Sequence, residues 1–459
     1  MAMATHGDEI VDFEPLQIPR ATVYLNDPKL RKDAGYCGPE YRNFECKMCD
    51  WFTLSPADGD FYRGHDKKML RFLRVPSDPR HANFDLNIEH EEDAQELRFE
   101  KNNKMDTFFQ FIMSEAQKNA RCCEILKRRD QIICPVNTLK IIMHLPLKRV
   151  DGYGGLKAFS IEINVVKIGH TFYMTNNEVE ENGGADVEQS VNSEEPAHIK
   201  CSKQGLKFEH YMFADEEPHP EKPVLQKRIA LRLVCEATFA GHHLLYTCKQ
   251  KGLEGHPDLL DNLPIATFLM CTTKPIWRGQ NYSWERLLFW WEKSILMKAQ
   301  KCIVGHRQEN GMVQYIDIVP TQGLLTEAAK EYLKKNPRTN VYQDTSGQSL
   351  GRGVFASNWR TGQPVQPSNP KPADAASELA NIITDMNFGF LARFLDYLKA
   401  TLPQGVGEGP DVVYQFSWHP DREDLVTCRK LTGEAGEAAR FIPDWYMAHL
   451  QLNAGLMPA

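Results

Sequence analysis

Ile265-Ala266-Thr267-Phe268-Leu269-Met270-Cys271-Thr272-Thr273-Lys274 is the stretch from which the rest of the chain can be ordered. Its apolar part, Ile265 to Met270, reads as a buried core strand. Downstream comes Trp284-Glu285-Arg286-Leu287-Leu288-Phe289-Trp290-Trp291, inside a helical pattern that runs from Tyr282 to Ala299. Cys302 to His306 and Val313 to Val319 read as strands around a turn at Glu309-Asn310-Gly311. A strand followed by a helix and then more strands argues for a mixed α/β fold.

The same reading extends in both directions. Upstream, strands are expected at Ala21 to Leu25, Leu139 to Leu145, Ala158 to Val166, Thr171 to Thr175 and His242 to Cys248. The run Met105 to Arg129 carries Phe108, Phe109, Ile112, Met113 and Ala116 at helical spacing, so one helix is expected there. Leu206 to Phe213 and Leu225 to Glu236 are ordered. Downstream, Thr326 to Lys335 and Ala375 to Ala400 are helical, Val412 to Trp418 is a strand, and Trp445 to Leu450 is a short helix. Residues 1–35 form a flexible N-terminal lead-in, and 36–459 a single domain. Residues 176–198 are acidic and rich in Gly and Asn, and 336–375 are rich in Gly, Ser, Asn, Gln and Pro, so both are expected as disordered insertions.

Composition narrows the function. The 459 residues carry a net charge of -7, with 42% hydrophobic and 25% charged residues, ordinary for a globular chain. That balance gives no global attraction to nucleic acid, so such binding needs a local basic patch. No long apolar run points to a membrane span, and Met1 to Phe13 lacks the apolar core of a secretory signal. The 12 cysteines are then expected to be reduced thiols of the cytosol or nucleus. No phosphate-cradling Gly-Lys-Ser/Thr loop, His-Glu-x-x-His or Gly-x-Ser-x-Gly is present.

Several clusters are candidates for chemistry. Cys46-x-x-Cys49, with Cys37 and His65, has enough ligands for zinc, but the spacing matches no standard finger and half-buried thiols are the plainer reading. His242-His243 opens an apolar strand, whose alternation sends the two rings to opposite faces. Cys122-Cys123 reads as ordinary helix thiols. Lys249 and Lys251 share one side of a strand end, and Lys274 and Lys293 join them if His242 to Cys248 pairs with Ile265 to Met270. Together they would make a basic pocket for a phosphate or an RNA 5′ end; the bland alternative is a solvated charge run. Arg352, Trp359 and Arg360 could touch RNA by stacking and charge, and Gln363 to Lys371 reads as a flexible Pro-rich insertion.

A series of segments resembles the DXO/Rai family of RNA decapping and 5′-to-3′ exonucleases. They are Asn83-Phe84-Asp85-Leu86, Gly205-Leu206-Lys207-Phe208-Glu209-His210-Tyr211-Met212, Gly241-His242-His243-Leu244-Leu245-Tyr246, Trp277 with Leu287-Leu288-Phe289-Trp290-Trp291, Ile303-Val304-Gly305-His306-Arg307, Met386-Asn387-Phe388, and Phe416-Ser417-Trp418 with Phe441-Ile442-Pro443-Asp444-Trp445-Tyr446. The resemblance runs in order across residues 80–450. It implies two twisted sheets flanked by helices, around a restriction-nuclease-type core. It also implies an active site of an Arg, a Glu, a Glu-x-Asp pair and a Glu-x-Lys pair. Here the Arg, which in the family precedes a strand placed on Leu139 to Met143, falls on Val136. The Glu-x-Asp pair falls on Lys249 and Lys251, the Glu-x-Lys pair on Leu269 and Cys271, and a Gln of the aromatic helix on Lys293. Glu209 is retained.

Magnesium binds through carboxylates and water, so one Glu beside two ammonium groups is a poor site for it. The resemblance therefore implies a pseudo-enzyme with no cofactor, akin to a catalytically degenerate insect germline branch of the family. From that branch follow expectations of a nuclear location, RNA as a partner, and a Rhino–Deadlock-type chromatin complex that shields nascent piRNA-precursor transcripts from termination, splicing and decay. Two other readings stay open: residual decapping or exonuclease activity using Glu209, and a protein scaffold with a vestigial pocket.

Overall fold

The computed structural model describes residues 11–18, 44–54, 62–87, 105–147, 160–179, 197–213, 230–250, 252–255, 267–275, 282–335, 372–403, 409–419 and 425–452. In chain order the strands and helices begin with β1 (Val11–Asp12), β2 (Leu16–Gln17), β3 (Cys46–Leu54), β4 (Tyr62–Gly64) and β5 (Phe84–Asp85). Then come α1 (Asp106–Ser114), α2 (Ala120–Leu126), β6 (Gln131–Pro135), α3 (Val136–His144), β7 (Ser160–Ile168), β8 (Thr171–Val179) and α4 (Ala197–Met212). The middle holds β9 (Ala230–Phe239), β10 (His242–Gln250), β11 (Leu253–Glu254), β12 (Thr267–Pro275), α5 (Trp284–Met297), β13 (Lys301–Arg307), β14 (Met312–Pro320) and α6 (Leu324–Lys335). The last elements are α7 (Pro372–Thr401), β15 (Val413–Trp418), β16 (Leu425–Leu431), α8 (Gly433–Ala439) and α9 (Asp444–Leu452).

Two sheets result. Eleven strands make the larger, in the order β1-β16-β15-β7-β8-β6-β10-β9-β3-β4, with β2 also on β16. Five make the smaller, β11-β12-β13-β14-β5. The central strands of the large sheet are apolar on both faces because both are covered. On β6, Ile132 and Cys134 join the main core with α3, α5, α6 and α7, while Ile133 joins a second core with α1, α2 and α9. The small sheet is also covered twice. Cys302 and Val304 of β13 face the main core, and Ile303 packs with Phe208, Tyr211 and Met212 of α4. Helix α5 thus lies between the sheets, touching the large one through the Tyr246 hydroxyl, which donates to the Leu296 carbonyl at 3.0 Å.

The expected two-sheet α/β architecture is the one observed, with differences in detail. Leu139 to Leu145 is helix α3, not a strand. Its apolar run also satisfies helical spacing through Leu139, Ile142 and Met143, and the strand lies just before it in β6. The single helix expected over Met105 to Arg129 is two, because Asn119 adopts an extended conformation and its side chain caps α2 by accepting from Arg121 N and Cys122 N. Part of the expected lead-in is built into the fold: β1 and β2 pair with β16, and Ile18 reaches the main core. Likewise β8 continues to Val179 and α7 begins at Pro372, so the two expected insertions are shorter at those ends. β10 does not pair with β12; it pairs with β6 and β9 in the large sheet, and β12 pairs with β11 and β13 in the small one. The expected strand Ala21 to Leu25, Cys37, Trp277, and residues Arg352, Trp359, Arg360 and Gln363 to Lys371 lie outside the described residues. Among the described residues no helix is long and apolar enough to cross a membrane.

Candidate functional site

Strands β10 and β12 belong to different sheets but touch where the sheets approach. On β10, Leu244, Tyr246 and Cys248 enter the main core and Leu245 the second core. Alternation gives Lys249 the parity of Leu245, and it sits half-buried opposite Arg232 of β9. Gln250 beyond it is fully buried, with neither amide atom hydrogen-bonded. Lys251 lies outside the described residues. On β12, Leu269 is in register with Lys301, Cys271 with Ile303 and Lys274 with His306, all in a parallel pairing. Lys301 donates to Glu254 Oε1 at 2.6 Å and lines a cleft of about 950 Å³ that also takes in Lys298, Trp291 and Ile318.

Two helices bring the remaining candidates to the small sheet. Ser283 caps α5 by accepting from Arg286 N. That start sets Leu287, Leu288 and Trp291 into the core and leaves Lys293 half-buried. Lys293 and Arg286 both act on the Cys302 thiol of β13: burial raises that thiol to about 12, against the pull of the two cations. Cys302 is the register partner of Met270, the residue between Leu269 and Cys271. On the other face, Phe208 of α4 lies flat on β13 at Gly305, where an added Cβ would come within 2.6 Å of its ring. This close approach fixes the neighbouring Glu209, which is half-buried. Residues 302 and 303 point to opposite faces, so Lys293 and Glu209 stand on opposite sides of β13. Val136 is the first residue of α3, half-buried against the main core.

Sequence reasoning missed the residues that surround Lys293. Arg286 and Arg307 lie close together: burial lowers the Arg286 pKa, and the Arg307 charge lowers it further. Arg307 donates to Gln204 of α4. His306 beside it bonds Asp317 Oδ2 at 2.7 Å, and the Tyr282 hydroxyl donates to the same oxygen at 2.8 Å. Phe289 is 40% exposed, and Lys140 of α3 places its ammonium 4.1 Å from the ring centre. One turn along α5 from Phe289, and against the same helix α3, lies a buried polar cluster. Glu292 is fully buried; its Oε1 lies 2.7 Å from His144 Nδ1 and accepts from Asn387 Nδ2 at 3.0 Å. Helical spacing could have found the first group, since Arg286, Phe289 and Lys293 are three and four positions apart.

Of the cysteine and histidine candidates, Cys122 and His65 meet at Asp50, whose Oδ2 accepts from the Cys122 thiol at 3.7 Å, and the rest are scattered. Cys46 enters the main core and Cys49, at a bulge in β3, packs against the second core. His65 bonds Asp50 Oδ1 at 2.7 Å. His242 is buried against Asp396 Oδ1 at 3.0 Å, whereas His243 meets Thr238 on the other face. Cys122 is buried and Cys123 half-buried. Among the described residues no three His, Cys, Asp or Glu side chains gather where they could share a metal ion.

Comparison with known proteins bears on this arrangement. Residues 45–348, more than half of the chain, match the family model described as RAI1 like PD-(D/E)XK nuclease. The mouse decapping and exoribonuclease protein is 25% identical over 252 residues, 53% of this chain and 48% of the mouse protein. Its rat counterpart matches to the same extent. The chain thus spans about half the length of the curated relatives it matches. Rai1 of Scheffersomyces stipitis, solved with (3′-NADP)+ and calcium, superposes with a TM-score of 0.61 at 13% identity, covering 98% of this chain and 100% of that one. Rai1 of Candida albicans, solved with pU5 and manganese, gives 0.60 at 14% identity, covering 96% of this chain and 100% of that one. At those identities the likeness is one of fold.

Proposed function

This chain belongs to the RAI1-like PD-(D/E)XK nuclease family, and from that premise we propose that it is a catalytically silent member that holds RNA 5′ ends without cutting them. One observation carries the reading. The positions that resemble the family's Glu-x-Asp pair read Lys249 and Lys251, and those that resemble its Glu-x-Lys pair read Leu269 and Cys271, so all three carboxylates of the two pairs are replaced. A divalent magnesium or manganese ion needs hard oxygen donors. Ammonium, isobutyl and thiol groups do not fit it, and these positions support no step through a metal. The same substitutions favour a phosphate. Lys293 and Arg286 supply positive charge beside Cys302 of the small sheet, and Arg307 adds to it at Arg286, whereas Lys249 has the parity of the opposite face of the large sheet.

In finer terms, the chain resembles the insect protein Cutoff in this shared loss of catalytic groups. We place it in the nucleus, as a protector of nascent piRNA-precursor transcripts against termination, splicing and decay, working with a Rhino–Deadlock-type chromatin complex. The retained Glu209 favours a second reading, a residual decapping or 5′-3′ exonuclease activity. A third reading is a scaffold whose pocket binds nothing.

The test uses purified protein with 5′-monophosphate, 5′-triphosphate and capped RNA, in magnesium or manganese. Binding and product formation are followed in the same reaction. Binding without cleavage, weakened at least several-fold by Lys293→Glu, supports the first reading. Metal-dependent cleavage lost in Glu209→Ala restores the enzyme. Neither binding nor cleavage leaves the scaffold.

A further inference from the structure

We propose that Phe289, set on helix α5 between Arg286 and Lys293 and touched on one face by Lys140, is a stacking seat for an unpaired nucleobase of single-stranded RNA. The inference rests on the RNA-holding reading above and specifies how a strand is held. Its first support is exposure without an apolar partner of its own kind. Four large hydrophobic residues are prominently exposed among the described residues: Val11, Phe289, Ile318 and Trp445. Val11 and Ile318 are aliphatic, and Trp445 packs edge-on against Phe109 and Tyr446. Phe289 is instead met by a cation.

The second support is charge. Arg286, Phe289 and Lys293 share a stripe, with the two cations about 10 Å apart along the helix axis. Lys140 comes from the neighbouring helix α3 and is the cation that meets the ring. Glu285 and Glu292 neighbour Phe289 on α5 at four and three positions, but both are engaged: Glu285 is 3.8 Å from Lys335, and Glu292 is buried with His144 and Asn387. An aromatic platform flanked by cations that can follow a phosphate backbone is the arrangement that binds single strands with little sequence preference. A fully paired helix offers no free base face to such a ring, which sets the specificity.

The experiment measures binding of a 5′-monophosphorylated single-stranded RNA by fluorescence anisotropy, with wild type, Phe289→Ala and Phe289→Trp. Phe289→Ala is expected to weaken single-strand binding roughly five-fold or more, the loss of one stacked base. Phe289→Trp is expected to keep affinity and to show quenched emission from the new indole when RNA is added. A strand of abasic sugar-phosphate is expected to bind wild type and Phe289→Ala alike. Unchanged unfolding midpoints exclude a folding defect as the cause. The proposal is overturned if wild type binds the single strand and Phe289→Ala binds it equally. An equal loss on the abasic strand, or an indole blind to RNA, overturns it as well and leaves the ring to a protein partner. Wild type that binds no RNA overturns the inference together with the reading beneath it.

Discussion

Two neighbouring sets of positions on helix α5 use charge in opposite ways. Toward α3 and α7, Glu292 is removed from water entirely and meets His144 and Asn387 in a space lined by apolar side chains. Beside Glu292 on α5, Arg286 and Lys293 stay half-buried, and Phe289 between them is exposed and met by Lys140 of the same helix α3. A buried carboxylate costs free energy unless its partners are well placed, and its chief consequence is a fixed geometry between three helices. Half-buried cations cost less and keep part of their surface open to a ligand. The difference teaches that changes in the first set should be read in stability and changes in the second in binding.

The largest expected effect tests the first half. Glu292→Ala removes the acceptor shared by His144 and Asn387, and should destabilise the protein by about 3–5 kcal/mol, measured by urea unfolding. A loss below about 1 kcal/mol would show that the cluster does not organise the helices. Gly305→Ala sets a Cβ against the Phe208 ring. It should cost about 1–3 kcal/mol through overpacking, with α4 showing faster amide exchange than α5. Equal protection of both helices would mean that α4 is held from elsewhere. Asn119→Ala removes the α2 cap and the bond to Asp50 Oδ2, and about 1 kcal/mol should be lost.

The basic side gives a prediction in salt rather than stability. If Lys293 meets a phosphate, Lys293→Gln should lower the slope of log affinity against log salt by roughly 1, at nearly unchanged thermal midpoint. An unaltered slope would remove Lys293 from the interface. The smallest effect concerns pH. The bond to Asp50 raises the His65 pKa above its usual 6.5. A raised folded-state value means that the contribution is complete below pH 6.5 and fades as pH rises through the raised value. His65→Gln should therefore lose stability relative to wild type in acid and approach it at high pH. A difference independent of pH would show that the pair acts through packing alone.

Much of this architecture was legible before any coordinates. The run from β12 through α5, β13 and β14 announces itself by local pattern, because each element is long, apolar on its buried face and bounded by turn residues. The opposite faces of His242 and His243 follow from strand alternation. Helix α3 was not legible, since Leu139 to Leu145 fits a strand and a helix equally and only its packing between α5 and α7 decides. The sheet to which β10 belongs is set by contacts with Gln131 to Pro135 and Ala230 to Phe239, far away in sequence. The site suffers most from this. Lys293 could be named from the helix, but Arg307, which acts on Arg286, and Lys140, which meets Phe289, come from other elements. The separation of Lys293 from Glu209 depends on which face of β13 each helix covers.

The pairing of β1 and β2 with β16 has a consequence in time. Val11 and Asp12 meet Lys430 and Arg429, and Leu16 meets Val426. These early residues cannot find their places until more than 400 further positions have left the ribosome, since β16 is among the last strands made. The pair β15 and β16 joins the rest of the sheet through another long-range pairing, Tyr414 of β15 with Val165 of β7, and such pairings close slowly. During synthesis the edge of the large sheet therefore stays open until its final strands arrive, and the growing chain would lean on chaperones for that interval.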